Sequence, residues 1–124
     1  MKSLFMLMAA MEVAIGLALL GSPTLPVSLL LGVSLDTAGS LMVARVAGAA
    51  LLSLGVACWL ARDDGQSRAM RGLLAAMLLY NVAAAALLVY AGLGLALAGV
   101  GLWPTVVLHA ALAVWCIAFL RPRR

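Results

Sequence analysis

Glu12, Arg45, Asn81 and His109 each interrupt a run of apolar residues. An arginine or carboxylate at the centre of a membrane helix costs roughly 2.5 to 3.5 kcal/mol on insertion scales, so such groups face a bundle interior and find partners there. Glu12 carries the most chemical information. A carboxyl far from water is either paired or protonated, and a group poised between those states serves proton coupling or the recognition of a polar head group. The other three also admit a purely structural account. Arg45 can snorkel outward to Asp36, Asn81 can staple two helices, and His109 can cap a carbonyl.

Other chemistries do not assemble from this inventory. His109 is the single histidine, and no nucleophile stands near it in sequence, so no catalytic triad is expected. One histidine and two thiols at a different depth do not make four zinc ligands. Bis-histidine haem would require two copies of the chain. The glycine-rich stretch 92–101 is too apolar to cradle phosphate. The segment Asp64-Gly65-Gln66-Ser67-Arg68-Ala69 invites comparison with membrane phosphotransferases acting on CDP-linked alcohols. Those need Ala-Arg in that order and later aspartates for divalent cations, and no acidic residue follows Asp64. Neither a metal nor another cofactor is therefore expected, and no catalytic residue is assigned.

The elements that must carry these four residues follow from composition. Of 124 residues 67% are apolar and 10% charged, too little polar surface to cover a water-soluble particle. A helix needs about 20 apolar residues to cross the hydrocarbon, which predicts an all-α membrane protein, a bundle of four transmembrane helices forming a single domain over residues 1–124. The spans are expected at about 3–20, 40–61, 70–90 and 103–120. A soluble enzyme, a secreted disulfide scaffold and a nucleic-acid-binding domain are all excluded.

Boundary signals support those spans. Gly21-Ser22-Pro23 breaks the first helix. In the first outer loop, Pro26 to Gly32 reads as a short interfacial segment with proline near its start and glycine at its end. Asp36, Thr37 and Ser40 offer N-cap oxygens to the second span. The third span loses definition at Ala91-Gly92-Leu93-Gly94, and Trp103-Pro104 opens the fourth. Trp59, Tyr80, Tyr90 and Trp115 are read as interface anchors and packing residues. The start of the chain loosely resembles a signal peptide, but Glu12 would sit in its apolar centre, which favours a true span.

Lys2, Arg62, Arg68, Arg71, Arg121, Arg123 and Arg124 flank spans, while the other two connections contain no Lys or Arg. The positive-inside rule then places both termini and the middle loop in the cytoplasm, in an inner or plasma membrane. Cys58 and Cys116 lie near the cytoplasmic ends of their spans and are expected to act as small reduced hydrophobes.

By helical rise Arg45 and His109 fall about 7 to 9 Å below the outer surface and Glu12 and Asn81 near the midplane, so all four can converge in the outer half. Glu12 and Arg45 are separated by roughly 9 Å along the normal, which suggests a bridging water or ligand. Gly48 and Gly55 share the face of Arg45, and Gly16 lies one turn beyond Glu12, so these three glycines are expected to let helices dock closely or the chain self-associate. Ala84 and Ala85 flank the face of Asn81, and Thr105 precedes His109 by a turn. Each half pairs a deep polar residue with a shallower basic one, Glu12 with Arg45 and Asn81 with His109, a faint sign of a parallel repeat.

A four-span chain with a glutamate in the first span, within Ala9-Ala10-Met11-Glu12-Val13, is similar to the small multidrug resistance transporters. That resemblance implies a glutamate exchanging protons for cationic drugs across a dimer. The chain departs from the pattern in its long first outer loop, its few aromatic residues, and in Arg45 and His109. The leading expectation is a non-enzymatic inner-membrane protein whose polar pocket of Glu12, Arg45, Asn81 and His109 binds an amphiphilic, lipid-like small molecule, or an accessory subunit. A proton-coupled exporter is the alternative. Expected partners are the lipid bilayer, an amphiphile and a second copy or larger membrane complex, with no nucleic acid.

Overall fold

The computed structural model describes residues 1–65 and 67–121. Gln66 of the polar turn, and Pro122, Arg123 and Arg124 of the basic tail, lie outside the described residues. Among the described residues five helices follow in order: α1 (Lys2–Gly21), α2 (Thr24–Leu31), α3 (Ala38–Ala61), α4 (Arg68–Gly94) and α5 (Leu102–Leu120). Among the described residues four helices are long and apolar enough to cross a membrane, with α2 as the short extra helix in the first connection. No strand occurs among the described residues. The architecture is the four-helix bundle expected from composition.

The helix ends have local causes. Gly32 closes α2 at φ 72°, a left-handed conformation that costs glycine little. Thr37 and Ser40 form a reciprocal capping box at the start of α3, whereas Asp36 stays exposed. Ser67 accepts from the Met70 amide and starts α4. That helix does not fade at Gly92; it continues through Gly94 and ends where Ala96 turns left-handed at φ 53°. The Leu97 amide then donates back to the Ala91 carbonyl at 3.0 Å, a wrap-around that satisfies a terminal acceptor without a glycine.

Two helix pairs make up the bundle, α1 with α3 and α4 with α5. The first pair is set by glycine. A Cβ on Gly16 would come within 2.8 Å of the Gly48 carbonyl oxygen, and one on Gly48 within 2.8 Å of the Gly16 carbonyl oxygen. Gly55 approaches Val13 and Ala9 in the same way. The three glycines expected to mediate docking therefore do so within the chain, between α1 and α3. The two pairs join at the end that carries the N-terminus, where Phe5, Met8, Met70, Leu74, Met77 and Cys116 form a buried core. Lys2 closes that end by an ion pair at 2.6 Å to Asp63, which also meets Arg62 at 3.2 Å. Lys2 beside it holds the Asp63 carboxyl below the usual carboxylate range. The pair is solvent-exposed and contributes little to stability.

At the opposite end α2 lies across the connection between α4 and α5. The Gly101 amide donates to the Leu29 carbonyl at 2.8 Å, and a Cβ on Gly99 would collide with the same oxygen. Gly32 approaches the Ala98 backbone to 3.0 Å by the same measure. Glycine is thus required where α2 and its C-cap meet the connection 95–101 backbone to backbone.

Candidate functional site

The packed core occupies one half of the bundle, and in the other half a cavity of about 670 Å³, open on one side, lies between the two helix pairs. Its size is within the range of small-molecule sites, roughly 300 to 1,000 Å³. Ile15 and Leu19 of α1, Leu51 of α3 and Leu87 and Leu88 of α4 supply apolar walls. Pro26, Val27 and Leu30 of α2 also line it, together with Gly101. Polar atoms enter the lining from Glu12, Tyr80, Thr105 and His109.

Glu12, Tyr80 and His109 are held by a short network that includes Asn81. The Tyr80 hydroxyl donates to Glu12 Oε2 at 3.4 Å, joining α4 to α1. This is a long contact and leaves most of the acceptor capacity of the carboxyl unused. Asn81 Nδ2 donates to the Met77 carbonyl at 2.7 Å, and His109 Nδ1 meets Asn81 Oδ1 at 2.8 Å, joining α5 to α4. A carbonyl oxygen can only accept, so the Met77 contact fixes which end of the amide is which. Asn81 Oδ1 is therefore an acceptor and His109 Nδ1 must carry a proton. In the neutral ring the lone pair sits on Nε2. Tyr80 and His109 also pack edge to face, with centroids 5.5 Å apart at 87°. Glu12, Asn81 and His109 are all buried, and no buried side-chain nitrogen or oxygen lacks a hydrogen bond among the described residues.

Of the four residues singled out by sequence, Glu12 and His109 line the cavity and Asn81 stands behind His109. Arg45 is elsewhere. It is exposed, and its Nε donates at 3.3 Å to the Leu20 carbonyl at the end of α1. Leu20 is eight residues from Glu12, about 12 Å along the helix. A guanidinium at that helix end meets an orphan acceptor and the negative pole of the helix dipole, which accounts for its position without any cavity role. The two halves consequently differ: Asn81 and His109 meet, whereas Glu12 and Arg45 do not.

Tyr80 belongs to the network, contrary to its reading as a packing or anchoring residue. The available signal was depth. Tyrosine is enriched at headgroup level, where its hydroxyl reaches water, and Tyr80 sits beside Asn81 well inside a span, where that hydroxyl needs a partner. Among the described residues no three metal-ligating side chains group together.

No protein-family model matches the chain, and no curated protein or solved structure matches it either.

Proposed function

We propose that the chain is an integral membrane protein that binds an amphiphilic, lipid-like molecule, with the polar head at Glu12 and His109 and the apolar portion along the walls toward α2. A binding role rather than catalysis is the better reading. The observation that carries it is the placement of Glu12 and His109, the one with a largely unused carboxyl and the other with a fixed tautomer, in the lining of an otherwise apolar cavity. Support for the membrane setting comes from the four long apolar helices, and the clustering of Lys and Arg supports cytoplasmic termini in an inner or plasma membrane. Association with a second copy or a larger complex is a further part of the proposal.

The test is purification in mild detergent followed by mass spectrometry of co-purified small molecules, wild type beside Glu12→Gln. A bound amphiphile that is depleted at least severalfold in the variant is the expected result. Equal retention by both proteins overturns the role given to Glu12. A proton-coupled exporter is the second reading, favoured by the presence of a carboxyl in the cavity itself. It displaces the first if only cations bind, with proton release that vanishes in Glu12→Gln.

A further inference from the structure

The head-group chemistry that the cavity accepts can be read from what lines it, taking the amphiphile-binding reading as the premise. Its polar lining consists of a carboxyl, two hydroxyls and an imidazole, with neither lysine nor arginine. The nearest basic residue in sequence to its α3 wall, Arg45, is turned to the Leu20 carbonyl. Lys2 and Arg62 are tied to Asp63 at the far end of the bundle. An anionic head would enter a low-dielectric site with no counter-charge and with a carboxyl beside it, and burying an unpaired charge is among the most costly arrangements a protein can make. Acceptors, by contrast, are present whichever form the carboxyl takes. Glu12 has one long contact from Tyr80 and keeps acceptor lone pairs even when protonated, and the Asn81 carbonyl fixes the His109 proton on Nδ1, which leaves Nε2 to accept. Asn81 is thus a positioning residue that sets the polarity of the site without lining it.

We infer that the ligand is an amphiphile whose head donates hydrogen bonds and carries no negative charge, as an alcohol or amine does and a fatty acid or alkyl phosphate does not. The experiment uses the full chain in nanodiscs of zwitterionic lipid, with dodecanol, dodecylamine, dodecanoate and dodecyl phosphate added in turn. Ala47→Phe, a substitution at an exposed position of the cavity lining, serves as the blocked control for effects on the bilayer. The alcohol and amine are expected to raise the melting temperature of the wild type by about 5 °C at roughly ten times their Kd, and the two anions not at all. Ala47→Phe should abolish the shift. Asn81→Leu, which frees the imidazole tautomer, should reduce the response to the alcohol, and nitrogen NMR of His109 should show the Nδ1 proton lost as the preferred form. Equal shifts from the anions overturn the head-group inference while leaving amphiphile binding intact. Anion shifts that vanish in Arg45→Gln would show that Arg45 serves the cavity, and would overturn it as well. No cavity-dependent shift from any of the four removes the premise itself.

Discussion

Arg45 shows how a residue costly in lipid can be satisfied without taking part in binding. Its guanidinium caps a helix end, where the dipole and an unpaired carbonyl both favour a cation. Arg45→Met should lower stability by about 1 kcal/mol through the lost acceptor partner and leave ligand retention unchanged, as read by thermal melting with and without dodecanol. Tyr80→Phe is expected to do the reverse: the 3.4 Å hydrogen bond is long, so stability falls by no more than about 0.5 kcal/mol, while retention weakens because Glu12 loses its positioning contact. If Arg45→Met removes ligand binding and Tyr80→Phe does not, their roles are interchanged. Sequence alone drew attention to Glu12, Asn81 and His109 because each is expensive in an apolar run. It could not separate Arg45 from them, since an arginine is equally costly whether its side chain turns inward or along the helix. Tyr80 was missed because its ring suits a hydrophobic span, and only the depth of its hydroxyl marks it as needing a partner.

At the scale of elements, the glycines divide into those that bring helices together and those that do not. Gly48 lies against the Gly16 backbone, which holds α3 close to α1, the helix that carries Glu12. Gly72, on α4, has open space where a Cβ would go. Gly48→Ala should therefore destabilise by about 1 to 3 kcal/mol through overpacking against backbone, which cannot yield as a side chain does. Gly72→Ala should be neutral or stabilise by up to about 1 kcal/mol through helix propensity. Denaturant or thermal unfolding of the pair distinguishes a packing role from a propensity effect common to every helical glycine. The small-residue stripe was legible in sequence, but its partner was not, because a glycine face fits a neighbouring chain as well as it fits α1. The end of α4 was obscure for a related reason: two glycines suggested fraying, and the chain uses Ala96 for the left-handed turn instead.

Over the whole molecule, charge and architecture agree on which features share an end. The ion pair of Lys2 with Asp63 joins the start of α1 to the turn after α3, so the basic residues flanking these helices lie on one side of the bundle. α2 and the connection at 95–101 lie on the other, where Gly101 binds Leu29. The relative placement follows from antiparallel helices alone; the direction in which the bundle sits in a membrane depends on charge, through the preference of Lys and Arg for the cytoplasmic side. Cysteine labelling tests that direction cleanly, because both native cysteines are free and fully buried and should not react with an impermeant reagent in the folded protein. Asp36→Cys and Gly65→Cys place thiols at exposed positions on opposite ends. In intact cells the reagent should modify position 36 and leave position 65 untouched until the membrane is permeabilised. Labelling of position 65 alone would invert the bundle, place the roof formed by α2 on the cytoplasmic side, and require the amphiphile to reach Glu12 from the inner half of the bilayer.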